Sequence, residues 1–328
     1  NAVQGLVLTV VCIAIIPVFL RLFSNDERTI GYALEYSRIV FLFGVIISCS
    51  LSFEKIFQAV GRMKVSMAGL LVGCLTNIIL DPIFIFGLHM GMRGAALATI
   101  IGQIVSFCIS LRYMFHFKTI RLTKESFHMT GRHIENIFKF GASACFNQIA
   151  MTIVQIVLNN SLTYYGALSP YGKEIPLAAC GIVMKTNAIL LAVIIGISQG
   201  SQPIIGFNYG AKQYDRVRGV YKLAIQCNLV ISLIGFLLFQ LCPRQIISLF
   251  GTGDALYFEF AVKFMRIFLF MVLLNGVQLL SSNFFAAIGK PVKGMLLSLT
   301  RQVFFLIPLL FILPLFLGID GIMYAGPV

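Results

Sequence analysis

Long apolar runs separated by short polar breaks set the pattern of this chain. Runs of about 18 or more residues with few charges read as membrane-spanning helices. Nine occur, near residues 2–23, 36–60, 66–88, 93–115, 136–160, 177–200, 219–241, 257–283 and 293–317, and a tenth begins at 319. The pattern predicts an all-α, polytopic membrane protein.

The runs also repeat. YSRIVFLFGVIISCSLSFEKIFQAVGRMKVSM (36–67) lies over FMRIFLFMVLLNGVQLLSSNFFAAIGKPVKGM (264–295) without a gap, at an offset of 228. Arg38 meets Arg266, Phe57 meets Phe285 and Gly61 meets Gly289; downstream, GMRG (91–94) meets GIDG (318–321). Parallel repeats of this kind recur in secondary transporters, with the site between the halves. At that offset the runs at 136–160 and 177–200 have no partner in the first half. The expected whole is therefore twelve helices in two six-helix bundles related by a parallel repeat. Of these the sequence carries helices 3 to 11 and the start of 12. The expected division is an N-terminal bundle at 1–115 (helices 3–6, with 1–2 missing), a basic linker at 116–135 and a C-terminal bundle at 136–328.

Composition agrees with the pattern: 59% of residues are hydrophobic and only 11% charged, roughly half the charge of a soluble domain. The net charge of +13 raises the prospect of nucleic acid, but its placement points elsewhere. Taking loops alternately, 62–64, 112–139, 212–222 and 290–293 hold 14 Lys/Arg against three acids, Glu125, Glu135 and Asp215. The opposite set holds eight against seven. That asymmetry is the positive-inside pattern and makes the basic loops and the linker cytoplasmic; no nucleic-acid partner is expected. The eight cysteines all fall in apolar runs without a C-x-x-C pair and read as small packing hydrophobes. There is no H-E-x-x-H and no Walker A sequence, so neither an enzyme nor a cofactor is expected, and ATP-driven transport would need a separate subunit.

Five charged residues lie well inside the runs: Glu54, Lys55, Asp81, Lys185 and Arg301. Charge at membrane depth is costly and faces a cavity or a partner. Asp81 follows Asn77 by four residues, which stacks the two side chains on one helix face. Pro82 has no N–H and leaves a carbonyl of the preceding turn free. Thr99 lies at matching depth in the next helix. Carboxylate, amide, hydroxyl and carbonyl oxygens are the groups a proton or Na⁺ relay would use, so Asp81, Asn77 and Thr99 are the candidate ion-coupling residues; shaping of the helix end by Asp81-Pro82 is the alternative. Lys55 reads as a side chain that snorkels to the interface and Glu54 as paired with a neighbour, substrate contact from Glu54 being the alternative; Arg301 reads as a donor to helix ends or carbonyls. The second half is rich in intramembrane amides. Interhelical amide bonds glue membrane bundles, which accounts for most of them singly. Eight remain candidates to line a substrate cavity: Asn147, Gln148, Gln155, Asn187, Gln199, Gln202, Asn275 and Gln278. In QGSQPIIGFNYGAK (199–212) Pro203 is expected to end its helix, and Pro308 and Pro314 are expected to kink theirs.

Three stretches carry a family resemblance over essentially the whole chain. NIILDPIFIFG (77–87) with MGMRGAALATIIGQ (90–103), GISQGSQPIIGFNYGAKQYDRVR (196–218) and FFAAIGKPVKGMLLSLTRQVFFLIPL (284–309) resemble, in order, the helix 5–6, 8–9 and 10–11 turns of the multidrug and toxic compound extrusion (MATE) transporters. The bacterial DinF/MepA-like branch is the most similar. In that family an Asn and Asp on helix 5, a Thr on helix 6 and an Asp on helix 1 form an ion-coupling site; Asn77, Asp81 and Thr99 match the first three. Some branches place acids of a second Na⁺ site on helices 7 and 10. Here helix 7 has none and Glu259 sits only at the outer edge of helix 10, so coupling falls on Asp81, and Na⁺ there is the one metal ion anticipated. The resemblance implies a secondary active exporter of organic cations, driven by H⁺ or Na⁺ through alternating access. It would be a monomer among the lipids of the bacterial cytoplasmic (inner) membrane, with a role in antibiotic resistance. A lipid-linked oligosaccharide flippase of the same wider superfamily is the alternative. It predicts several inward-facing cations, and Lys185 and Arg301 are few for that.

Overall fold

The computed structural model describes residues 2–23, 27–115, 131–251 and 253–327, and every element within them is helical. The chain divides into two compact units, residues 1–127 and 128–328. The linker expected at 116–135 lies outside the described residues over 116–130. The first unit holds α1 (Ala2–Phe23), α2 (Glu27–Leu42), α3 (Gly44–Ala59), α4 (Met63–Pro82), a π turn (Ile83–Gly87) and α5 (Gly91–Phe115). The second opens with α6 (Gly131–Ala167), α7 (Glu174–Gly210), α8 (Tyr214–Leu241) and the short α9 (Pro243–Ser248). It continues through α10 (Ala255–Phe268), α11 (Val272–Ala287), α12 (Pro291–Leu299), a π stretch (Thr300–Leu306), α13 (Ile307–Leu317) and α14 (Ile319–Ala325). Among the described residues seven helices are long and apolar enough to cross a membrane, or nine if two bent pairs each count as one span. The protein is an all-α, multi-pass membrane protein.

The bent pairs correct two of the expected spans. The runs at 36–60 and 257–283 are each broken, α2 against α3 by 58° and α10 against α11 by 50°. Neither joint contains proline, and only the first contains glycine (Gly44). The break is made by the backbone: Phe43 N donates to Val40 O at 3.2 Å and Phe270 N to Ile267 O at 3.2 Å, tight i→i−3 closures that halt the α ladder. Such a turn has no side-chain signature, so an apolar run reads straight through it.

Pro203 supplies a second correction. It lies inside α7, which continues to Gly210. The turn comes later, at Lys212 (φ +59°), where Lys212 N reaches Tyr209 O and Gln213 N reaches Asn208 O. A proline forfeits one hydrogen bond of the ladder, and in a membrane helix neighbouring polar side chains and local adjustment absorb that loss. Pro308, by contrast, falls at the second residue of α13, directly after the π stretch. The widened turn takes up its missing N–H there.

The two units are packed differently. In the first, glycines let α4 and α5 approach backbone to backbone: a Cβ on Gly73 would sit 2.7 Å from the Gly102 carbonyl oxygen, and one on Gly102 2.6 Å from that of Gly73. Small residues at such crossings maximise contact where no hydrophobic drive exists between helices in lipid. In the second, large side chains fill the centre. Phe260 and Phe264 of α10, Leu162 of α6, Val183 of α7 and Met323 of α14 are fully enclosed. The rings of Phe260, Phe264 and Phe268 stack in succession at 6.0 and 5.0 Å.

Candidate functional site

The close approach of α4 and α5 builds the first candidate site. Gly102 faces Asn77, and a Cβ there would lie 3.2 Å from the Asn77 Cβ. Without that Cβ, α5 comes near enough for Asn77 Nδ2 to donate a long hydrogen bond, 3.5 Å, to Thr99 Oγ1. The Thr99 hydroxyl has one proton and donates it to the Ala95 carbonyl at 2.9 Å. The Tyr36 hydroxyl on α2, 3.4 Å away, must then donate to Thr99. Three helices thus converge on one hydroxyl oxygen.

Asp81 lies one turn beyond Asn77 on the same face of α4. Its Oδ1 is fully enclosed, and no described residue donates to it. An enclosed carboxylate oxygen without a donor carries the full cost of desolvation, and it is the natural place for a proton or small cation to bind. Immediately after it, Pro82 passes the chain into the π turn. Leu88 N bonds Ile83 O at 2.9 Å and Met90 N bonds Phe84 O at 3.0 Å, so the segment closes within one loop. Of the three residues predicted, Asn77 and Thr99 are joined by a hydrogen bond and Asp81 is adjacent along the helix. Tyr36 was missed. Its signal is the repeat, where the matching residue is Phe264: a hydroxyl has been added to an apolar position.

The remaining intramembrane charges are mostly paired. Gln58 Nε2 donates to Glu54 Oε1 at 2.7 Å, and Lys55 Nζ to Gln58 Oε1 at 3.0 Å, a local relay that leaves Glu54 engaged. Arg301 donates from Nη1 to Asn275 Oδ1, while its enclosed Nε has no acceptor among the described residues. Lys185 is exposed on α7.

The eight amides split. Asn147 accepts from Ser298 Oγ at 2.8 Å, joining α6 to α12, and Gln278 Nε2 donates to the Leu297 carbonyl at 3.1 Å. With Asn275 held by Arg301, these three tie helices together. Gln155 donates to Asn159, one turn along its own helix, at 3.0 Å. Asn187 keeps an enclosed Oδ1 without a donor. Gln148 is exposed, and Gln199 and Gln202 are half-buried. Sequence reading passed over Asn228, which is completely buried and donates to the Gly276 carbonyl at 2.7 Å.

Two further features are settled by position. Gly196-Ile197-Ser198-Gln199-Gly200 has the G-x-S-x-G spacing of a hydrolase nucleophile, but it lies within α7 and Ser198 is wholly buried. The motif requires an exposed serine on a strand-to-helix turn. All eight cysteines are unpaired; Cys180 is buried, whereas Cys74, Cys108, Cys145 and Cys227 lie on helix surfaces. Among the described residues no group of three or more His, Cys, Asp or Glu is placed to hold a metal ion.

Comparison with known proteins gives a consistent result. The sequence profile of the MatE family matches residues 1–83 and 143–312. The chain is 27% identical over 329 residues to the multidrug export protein MepA of Staphylococcus haemolyticus (strain JCSC1435), covering 99% of this chain and 70% of the relative. It is 27% identical over 326 residues to MepA of Staphylococcus aureus (strain NCTC 8325 / PS 47), covering 98% and 69%. Among solved structures, it is similar to a multidrug resistance MATE family transporter of the MOP superfamily in an outward-facing conformation. That match has a TM-score of 0.90 and 22% identity, covering 99% of this chain and 72% of the other. It is also similar to a MOP superfamily transporter from Pyrococcus furiosus, with a TM-score of 0.91, 21% identity and the same coverage. For the latter, reverse polarity of the binding pocket is held to suggest a different function.

Proposed function

Since the chain belongs to the MatE family, we propose that it is a secondary active multidrug exporter, antiporting organic cations outward against H⁺ or Na⁺ by alternating access. What supports the coupling half of this reading is the enclosed, donor-free Oδ1 of Asp81 beside the Asn77–Thr99–Tyr36 hydrogen-bond chain. A bare carboxylate at membrane depth is costly. Binding of a proton or Na⁺ removes that cost, so occupancy shifts the balance between conformations by the difference in affinity they offer the ion. What supports the cargo half is likeness to multidrug export proteins together with the many half-buried amides and aromatics of the second unit. The charge asymmetry of the loops supports an orientation with 62–64, 112–139, 212–222 and 290–293 in the cytoplasm. The repeat supports a twelve-helix gene product in two bundles.

The test is efflux of a fluorescent organic cation from vesicles carrying the complete gene product, under an imposed pH gradient and, separately, an imposed Na⁺ gradient. Efflux that follows one gradient and is lost in Asp81→Asn is the expected result and names the ion. Efflux unchanged in the variant would make Asp81 a shaper of the helix end. No efflux under either gradient would favour the flippase reading.

A further inference from the structure

Helix α10 has two faces, and the transport reading uses neither. One carries Phe260, Phe264 and Met265 into the core of the second unit. The other, running from Ala255 to Ile267 in steps of three and four residues, lines an open cavity of about 690 Å³ bordered by α9 and the end of α8. Its length along α10 is about 18 Å at 1.5 Å per residue. Three basic side chains line it, Arg244 from α9 with Lys263 and Arg266 from α10, against one acid, Glu259. Lys263 is already engaged, both oxygens of Asp320 lying 2.7 Å from its Nζ. The other two have no acidic partner among the described residues: Arg244 rests over the Phe258 ring at 5.6 Å, and the Arg266 guanidinium is exposed. Leu241, Val262 and Ile267 supply apolar wall.

The level of this cavity is set by one bond. Gln240 Nε2 donates to the Arg266 carbonyl at 2.8 Å, which places Arg266 beside the last turn of α8. Arg244 follows three residues after α8 ends at Leu241. Both arginines therefore stand where a membrane-crossing helix leaves the hydrocarbon. Leu241 and Leu249, 71% and 84% exposed, flank that level. Two guanidinium groups without an acidic partner among the described residues, at the headgroup plane and above an apolar wall, have the charge and the layering of a glycerophospholipid turned inside out. Arginine holds phosphate through paired N–H donors, and anionic headgroups are drawn to basic residues at the membrane surface.

We propose that this cavity is a binding site for the phosphate group of an anionic phospholipid. Arg244 and Arg266 hold the phosphate, and Leu241 and Ile267 lie along the first acyl carbons. On the orientation given above, the lipid belongs to the leaflet opposite the basic loops; the binding itself does not depend on that orientation or on the transport reading.

The experiment is native mass spectrometry of the purified gene product, released from detergent with phosphatidylglycerol or phosphatidylcholine added in equal amounts. Wild type is expected to retain phosphatidylglycerol about tenfold better, the ratio that about 1.4 kcal/mol of extra binding produces. The Arg244→Gln/Arg266→Gln double variant should bind the two lipids equally, and Glu259→Gln, which removes the one opposing charge, should widen the preference. Both arginines are on the surface, and Glu259→Gln provides a readout by gain should the double variant fold poorly. A preference kept by the double variant, or lost equally in Lys290→Gln/Lys293→Gln on the other loop set, overturns the proposal. So does displacement of the lipid by excess inorganic phosphate, which would make the cavity a site for free anions. Because no gradient is imposed, these outcomes are independent of whether efflux is coupled at Asp81.

Discussion

The bent pair α2–α3 of the first unit and the bent pair α10–α11 of the second share one backbone. Glu27, Gly44 and Ala59 bound the first pair and Ala255, Val272 and Ala287 the second, each 228 residues apart. The turns that follow also agree: Gly61 and Gly289 have φ of +76° and +77°. Arg62 N reaches Phe57 O at 2.8 Å and Lys290 N reaches Phe285 O at 2.9 Å. Chemistry differs where the backbone does not. Glu35 on α2 holds Arg93 on α5 at 2.9 Å, while Lys263 on α10, 228 residues after Glu35, holds Asp320 on α14 at 2.7 Å, Arg93 and Asp320 matching through the GMRG and GIDG stretches at an offset of 227. The tie is kept and its charges are exchanged. Attraction is indifferent to which partner carries which sign, so helix geometry alone cannot fix the polarity; the surroundings can. The exchange sets a lysine on the cavity beside Arg266. Likewise Asp81 has Leu309 as its counterpart, and Gly73, which brings α4 against α5, has Arg301.

The largest expected effect tests this division of labour directly. Asp81→Asn should reduce gradient-driven efflux about tenfold or more, whereas Arg301→Gln should leave the ion dependence of residual efflux intact. Loss of coupling in both would mean that the two units share the task. Next in size is Gly102→Leu, whose side chain must enter where a Cβ already meets the Gly73 carbonyl at 2.6 Å. Overpacking of this kind costs about 1–3 kcal/mol, seen as a lower melting temperature in detergent, and it should separate Asn77 from Thr99. Smaller and equal effects are expected at the repeated turn. Gly61→Ala and Gly289→Ala each force a side chain into the left-handed region at about 1 kcal/mol. Unequal losses would show that the turns carry different loads.

The smallest effect is expected at the ion pair whose charges are exchanged between the units. Glu35→Lys and Lys263→Asp should each lower the melting temperature, the second more because its pair makes two short contacts and is less exposed. Adding Arg93→Asp to the first, or Asp320→Lys to the second, should recover most of the loss by restoring each tie with reversed sign. Exposed pairs contribute little in general, so the shifts will be small. Recovery in one unit and not the other would locate a neighbour that reads the sign.

Much of this was legible before any coordinates. Membrane spans are visible because polar residues are costly along about 20 residues of helix and stay few, and α4 through α8 fall where the apolar runs do. The repeat is visible because a glycine turn flanked by fixed packing positions tolerates few substitutions in register, and it foretold the twin turns at Gly61 and Gly289. The candidate site was half legible. Asn77 and Asp81 share a face by helical period alone, and Thr99 was placed by depth.

What the amino-acid order determined by itself, then, is whatever follows from spacing along one helix and from the cost of polar groups in lipid: the spans, the repeated segment, and the pairing of Asn77 with Asp81. What the tertiary structure alone decided lies between helices. It brought Tyr36 to Thr99 across 63 residues, broke two apolar runs at joints with no marker residue, carried α7 through Pro203, and gathered Arg244 and Arg266 on one cavity. Those outcomes depend on which helix faces touch, and a face is chosen by how closely two backbones can approach rather than by any property of either strip of sequence alone.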